Sequence, residues 1–206
     1  MGLPIRYNIR NLVQRKGSTL MTALGIGLTV AVLITTIALS SGMAAVFMGS
    51  GHPLQVLVLR KGTDNELSSQ IREESFGIIK QLPGIAKTKD GQIMASQEGI
   101  TIVNLPSVEN PNGMNVSVRG LLPIGFQMRE GATITQGRWF EPGKREIVVG
   151  DGIASRYPDA RVGRTIKFGR GDWQVVGVFQ DGESAANSEI WADLNQVRGD
   201  FESQGG

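Results

Sequence analysis

The stretch QRKGSTLMTALGIGLTVAVLITTIALSSGMAAVFMGSGHPLQVLVLRKG, Gln14–Gly62, decides how the chain is organised. Between Gly17 and Leu59 it contains no Asp, Glu, Lys or Arg. A helix that crosses the hydrocarbon core of a bilayer needs about 20 predominantly apolar residues, and Leu20–Ser41 meets that requirement. The stretch therefore predicts a transmembrane helix over residues 18–49, whose last part extends beyond the bilayer as a stalk.

Two other interpretations of this apolar run stay open. A secretory signal has a shorter apolar region of roughly 7 to 15 residues, but cleavage within SSGMAA, residues 40–45, is an alternative to a permanent anchor. A buried helix of a soluble protein is the less favoured alternative, because so long an uncharged stretch would need protein on every side. Length favours the anchor.

Basic residues precede the apolar run, and no acidic residue does. They are Arg6, Arg10, Arg15 and Lys16. Because cytoplasmic flanks carry an excess of Lys and Arg, this pattern puts the N-terminus in the cytoplasm and the rest of the chain outside. We expect residues 1–17 to lie as an amphipathic segment on the inner leaflet, with these cations near anionic lipid headgroups. A disordered basic tail is the alternative.

The remainder of the chain offers little for nucleic-acid binding or catalysis. After the four N-terminal cations, 17 basic residues face 19 acidic ones, which argues against a nucleic-acid partner. There is no cysteine, and His52 is the single histidine, so cysteine-based metal sites and multi-histidine sites cannot form within the chain. No phosphate-binding loop or nucleophile-elbow motif occurs. We therefore predict no catalytic, cofactor-binding or metal-binding residue.

Small residues recur at every fourth position of the predicted helix. They are Ala23, Gly27, Ala31 and Thr35. Residues four apart lie on one helix face, and small side chains let a second helix approach closely in lipid. We predict that this face packs against another transmembrane helix, although Gly and Ala are common in such helices anyway.

Residues 53–206 predict an α+β body rich in strands. Leu54–Arg60 has the pattern of a strand, and Thr63 with Glu66 forms a capping box for a helix that ends at Pro83. A hairpin region is expected within Lys89–Pro106, and a loop at residues 108–113. Further along, a strand at Glu146–Val149 precedes a short helix, and two strands meet near residues 169–171.

Several segments together resemble one known family. They are IRNLVQRKGSTLMTALGIGLTVAVLITTIAL, VSVRGL, ITQGRWFEPGKREIVVGDGIASRYPDARVGRTIKFGRGDWQVVGVF and SEIWADL. Each is weak singly, but their combination is similar to the N-terminal part of MacB-type (FtsX-like) ABC transporter permeases, the group that includes DevC and the lipoprotein-release permeases. The resemblance covers nearly the whole chain.

The resemblance implies an extracytoplasmic MacB-like core domain that is carried on the first transmembrane helix of a homodimeric permease in the bacterial inner membrane. In such export or efflux systems, a separate cytoplasmic ATPase binds ATP and magnesium, and its movements pass through the membrane helices to the outer domain. The partners implied are that ATPase, a second permease copy, membrane lipid and, in some systems, a periplasmic adaptor protein. The chain itself is not expected to be an enzyme.

The sequence departs from the family after the outer domain. Members continue into three more transmembrane helices, whereas this chain shows no second apolar run before Gly206. We therefore interpret residues 53–206 as a truncated core domain and the chain as a fragment. The alternatives are a membrane-anchored binding module and, less favoured, an anchored hydrolase. Coding sequence for three further apolar runs, next to an ATPase gene, would favour the permease.

Overall fold

The computed structural model describes residue 10 and residues 13–49, 54–107 and 110–201. The chain divides into two units, with the boundary between Gly49 and Ser50. Most of the predicted surface segment 1–17, including Arg6, lies outside the described residues.

The first unit contains helix α1, Lys16–Gly49. Its 34 residues would measure about 51 Å at the usual rise per residue. The part from Lys16 to Ala44 is long and apolar enough to cross a membrane by length and composition. Thr22, Thr29, Thr35 and Thr36 each donate the hydroxyl proton to the carbonyl four residues earlier. These bonds satisfy the hydroxyl groups within the helix, as an apolar environment demands. The predicted apolar helix is confirmed.

The second unit is built on one mixed sheet of seven strands. They are β1 (Gly99–Leu105), β2 (Met114–Leu121), β3 (Ala132–Gly137), β4 (Glu146–Gly150), β5 (Thr165–Phe168), β6 (Gly171–Asp181) and β7 (Glu189–Asp193). The spatial order is β1-β2-β7-β4-β6-β3, and β5 also pairs with β6. The pairs β2–β7 and β4–β6 are parallel, and the other pairs are antiparallel.

Short helices accompany the sheet. They are α2 (Glu73–Ile79), α3 (Pro123–Gln127), α4 (Asp151–Arg156) and α5 (Leu194–Phe201), with a 3₁₀ turn at Ala185–Ser188. Together with α1, this arrangement confirms the predicted fold class: a mixed, strand-rich α/β domain that follows one apolar N-terminal helix.

Each face of the sheet carries its own core. Because successive side chains of a strand point to opposite faces, Ile147 and Val149 of β4 belong to one core and Val148 to the other. Helices α4 and α5 contribute Ile153 and Val197 to the first core. The second core is aromatic and is hereafter called the aromatic face: it combines Leu121, Phe140, Val148, Val176, Phe179 and Trp191.

The predicted strand at Leu54–Arg60 is wrong. The segment is irregular in the structure, and Leu54, Val56 and Leu57 are each more than 60% exposed. A strand needs a neighbour for its backbone hydrogen bonds, and no described strand pairs with this segment. The apolar alternation was therefore insufficient to make a strand.

The predicted capping box is also wrong. Helix α2 begins at Glu73 instead of after Thr63, and it ends at Ile79 instead of at Pro83. The Thr63 hydroxyl donates to the Arg60 carbonyl, and the Glu66 carboxylate pairs with Arg119 of the sheet. Both side chains thus have other partners than helix N–H groups.

Within Lys89–Pro106 only β1 is a strand, and its partner is β2, so the predicted hairpin inside that region is wrong. An isolated antiparallel bridge joins Lys87 to Ile93. Strand β4 followed by α4, and the antiparallel pair β5–β6 around residues 169–170, agree with the predictions.

Candidate functional site: a partly buried ion network

Arg119 is the centre of an ion network on the sheet. It lies in β2, and its side chain is only 12% exposed. Its Nε and Nη2 atoms donate to the two carboxylate oxygens of Glu189, both at 2.8 Å. Its Nη1 atom donates to Glu66 at 2.7 Å and to Glu98 at 3.0 Å. One guanidinium therefore joins three carboxylates that are far apart in the sequence.

Arg129 extends the network beyond helix α3. Its Nη1 and Nη2 atoms donate to Glu98 at 2.8 and 2.6 Å, and Nη1 also donates to the Gly125 carbonyl. The guanidinium lies 5.2 Å from the ring centroid of Trp191, a cation–π distance. The indole Nε1 of Trp191 donates to Glu189 at 2.8 Å. The network is thus continuous with the aromatic face.

The protonation behaviour of the network follows from burial and pairing. Burial lowers the pKa of Arg119, but the hydrogen bonds and charge of Glu189, followed by the charges of Glu66 and Glu98, outweigh it, and the net pKa is raised. Burial raises the pKa of Glu189, but the hydrogen bonds and charge of Arg119, the Trp191 N–H and the charge of Arg129 together outweigh burial. The net pKa of Glu189 is therefore lowered. Both partners are therefore held in their charged forms.

Five aromatic rings pack beside this network. Trp191 lies 4.0 Å from Phe179 and 6.1 Å from Trp139, measured between ring centroids. Phe126 of α3 lies 4.8 Å from both Trp139 and Phe140. Close aromatic packing of this kind fixes the relative positions of the strands and loops that carry the rings. The aromatic face is therefore well suited to act as a rigid block.

Two further ion pairs tie loops to the sheet and to helix α5. Arg138 donates to both oxygens of Glu146 at 2.7 Å, and the backbone N–H of Glu141 donates to Glu146 at 3.0 Å. The hydrogen bonds from Arg138 lower the pKa of Glu146 against an opposing effect of desolvation. Arg145 pairs with Asp200 of α5, whose side chain is buried. In each pair the arginine side chain is exposed and the carboxylate is buried.

An open cavity of about 360 Å³ lies where the segment after residue 54 meets β1 and β2. Its apolar lining comes from Leu57, Leu59, Leu67 and Ile100, and its polar lining from Asp64, Asn65, Glu66 and Ser117. Among the described residues, no three carboxylate or imidazole side chains form a group that could hold a metal ion.

The residues singled out from the sequence lie in the other unit. Arg10, Arg15 and Lys16 are exposed, whereas Arg6 lies outside the described part of the chain. Ala23, Gly27, Ala31 and Thr35 share one exposed face of α1. The Thr35 hydroxyl donates to the Ala31 carbonyl at 2.8 Å, so the polar group of this face is satisfied within the helix. The membrane-surface and helix-packing roles stay predictions.

The sequence pattern alone does not reveal the residues of the ion network. Glu66 is predicted as part of a helix cap, and no role is predicted for Arg119. One signal was available: an arginine inside the apolar strand VSVRGL needs a charged partner once the strand is covered. Its partners could not be named, because Glu66 and Glu189 are 53 and 70 positions away.

Comparison with protein families identifies the domain. Residues 19–205 match the family described as "MacB-like periplasmic core domain". The chain belongs to this family. The match begins inside α1 and runs through α5, so it includes every strand of the sheet. The predicted resemblance to the outer domain of MacB-like ABC transporter permeases is confirmed.

The solved structures that match part of the chain include two outer domains of ABC transporters. One is the extracellular domain of the noncanonic ABC-type transporter YknZ from Gram-positive bacteria, at 16% identity and a TM-score of 0.46, covering 64% of this chain and 67% of that domain. The other is the periplasmic region of MacB from Actinobacillus actinomycetemcomitans, at 15% identity and a TM-score of 0.42, covering 66% of this MacB-like chain. This chain spans 60% of that MacB region. No curated protein matches the chain.

Proposed function

We propose that this chain acts in the permease subunit of an ABC-type export complex, with α1 in the inner membrane and the strand-rich body outside the cytoplasm. The observation that carries the proposal is the family match over residues 19–205, which includes most of the apolar helix and the body that follows it. The helix supplies an anchor of sufficient length, and the body supplies a rigid sheet with a core on each face.

In this proposal the chain transmits movement and performs no chemistry. A separate cytoplasmic ATPase binds ATP and magnesium, and its movement reaches the body through the membrane helices. The body responds as a block, because its ion pairs and stacked aromatic rings join β2, β7, β4 and β6 to the surrounding loops. A second permease copy packs against the small-residue face of α1, and an adaptor protein binds outside the membrane.

The basic residues before the apolar helix support a cytoplasmic N-terminus. Arg10, Arg15 and Lys16 are exposed and precede the uncharged part of α1. Anionic headgroups of the inner leaflet would attract such cations by about 1 kcal/mol each close to the surface. The proposal therefore places Arg6, Arg10, Arg15 and Lys16 on the inner leaflet.

A reporter fusion tests the orientation. An enzyme that is active only outside the cytoplasm, fused after Gly206, should be active in cells. The matched control replaces Arg6, Arg10, Arg15 and Lys16 with Gln, which removes the charge bias and should reduce reporter activity by inverting part of the population. An inactive reporter on the native chain would contradict the proposed location of the body.

Purification from native membranes tests the complex. A tagged permease extracted in mild detergent should carry an ATPase subunit and a second copy of itself. Gly27→Leu should weaken the association of the two copies, whereas Leu28→Ile, on a neighbouring helix position, should not. If neither ATPase activity nor a second copy is recovered, the membrane-anchored binding module becomes the better explanation.

A further inference from the structure

The segment between α1 and the sheet is held to the body in an unusual way. We call residues 56–70 the connecting strap. All the backbone-to-backbone hydrogen bonds described for the strap are local: the Thr63 N–H donates to the Arg60 carbonyl, and the Ser69 N–H donates to the Glu66 carbonyl. The Arg60 N–H also donates to the Ser69 hydroxyl at 2.8 Å. The strap is thus folded on itself and has no strand partner in the described part of the chain.

Glu66 supplies the hydrogen-bonded link from the strap to the sheet. Within the described residues, the strap's one hydrogen bond to a strand is the contact between Glu66 and Arg119 at 2.7 Å. The strap's other approach to the sheet is around the open cavity, where Leu57 and Leu59 face Ile100 without filling the space. A charged hydrogen bond is directional, whereas loose apolar contact is not.

Arg119 connects Glu66 to the middle of the sheet, because the same guanidinium also binds Glu189. It is bidentate to Glu189 of β7, and β7 lies between β2 and β4 in the sheet. Beyond the strap, the buried Gln97 side chain donates to the Ile71 carbonyl at 2.8 Å, next to Glu98 in the same network. The strap is therefore joined by hydrogen bonds to the inner strand β2 and, through Arg119, to β7, and it meets the edge strand β1 only around the open cavity.

We infer that the Glu66–Arg119 contact is a latch that makes the connecting strap and the sheet move as one body. This inference rests on the proposed permease function for its purpose, since a strap next in sequence to the membrane helix is where movement would enter the outer domain. Glu66 is a positioning residue in this scheme. Its side chain is about one-third exposed, so it can be changed without removing a core residue.

Amide hydrogen exchange of the full chain in its native membranes tests the latch. The amides of Arg60, Thr63, Ser68 and Ser69 are the reporters, because each donates a hydrogen bond inside the strap. Glu66→Gln should speed their exchange about fivefold, the effect expected for loss of a partly exposed ion pair. Exchange in β4 should not change, which shows that the fold is intact. The matched control, Glu74→Gln on exposed α2, should leave all of these rates unchanged.

Spin labels separate this inference from the proposed function. Ser68 and Gln174 are exposed, and the chain contains no cysteine, so Ser68→Cys and Gln174→Cys can be labelled as a pair. The distance between the two labels should be narrowly distributed when Glu66 is present and more broadly distributed with Glu66→Gln.

Unchanged exchange and an unchanged distance distribution in Glu66→Gln would overturn the latch. Failure of ATP with vanadate to shift any label in the purified complex would instead count against the permease function and leave the latch standing.

Discussion

The segment Leu54–Leu59, which leads into the connecting strap, and strand β4 have similar compositions and opposite environments. Leu54–Leu59 is as apolar as Glu146–Gly150, yet four of its large side chains are between 45% and 86% exposed, whereas all five residues of β4 are buried. The difference is in the neighbours: β4 is bonded to β6 and β7 and is covered on both faces. Apolar alternation predicts a segment that can be buried. Whether the segment is buried depends on its pairing with neighbouring strands.

The largest effect should come from the centre of the aromatic face. Trp191→Ala should lower the free energy of unfolding by about 4 kcal/mol, because the indole is fully buried, stacks on Phe179 and binds Glu189. Urea titration of the full chain in detergent, followed by the fluorescence of the remaining tryptophans, measures it. Trp139→Ala is the control and should lose less, because Trp139 is only partly buried. Equal losses of unfolding free energy in the two variants would mean that Trp139 stabilises the fold as much as Trp191 does.

A tight backbone contact should give the second largest effect. Gly137 has a φ of 74°, and a Cβ there would lie 2.1 Å from the Val176 carbonyl oxygen. We expect Gly137→Ala to cost about 3 kcal/mol, because β3 would have to move away from β6. Gly143 has a φ of 79° with open space around it, so Gly143→Ala should cost only about 1 kcal/mol of left-handed strain. Thermal unfolding of both variants checks the difference.

Acid should weaken the sheet by removing the charge of two paired carboxylates. The pKa values of Glu189 and Glu146 are lower than the ordinary 4.5, so their pairing stabilises the fold fully above about pH 4.5 and is lost as the pH falls through the lowered values. Unfolding free energies between pH 7 and pH 3 measure this loss. Glu189→Gln should be less stable at pH 7 and show a shallower decline. A steeper decline in that variant would contradict the pairing.

The smallest effect should come from the strap itself. Val56 is 83% exposed, so Val56→Ala should change the free energy of unfolding by no more than about 0.5 kcal/mol. Val148→Ala makes the same chemical change at a fully buried position and should cost about 2.5 kcal/mol. Losses of similar size in a denaturant titration would show that the strap is packed in solution, and the contrast with β4 would disappear.

Sequence reasoning worked where local pattern decides the structure. Helix α1 follows from a long uncharged run, and β4, α4 and the β5–β6 hairpin follow from apolar runs separated by turn residues. It failed at Thr63 and Glu66. The local pattern fits a helix cap, but in the structure the Glu66 carboxylate binds Arg119, which is distant in sequence. The network of Arg119 could not be predicted from spacing, because Glu189 reaches Arg119 only through the parallel pairing of β2 with β7, and Glu98 through the antiparallel pairing of β1 with β2.

That parallel pairing has a consequence for how the body is made. Strand β7 comes last in sequence among the described strands, but it lies between β2 and β4 in the sheet. Because synthesis runs from the N-terminus, the β1–β2 hairpin must wait with Val118 and Leu121 uncovered until β7 emerges. The hairpin's free edge is open to wrong pairing during this interval, so newly made chains should depend on holding factors until β7 has been made.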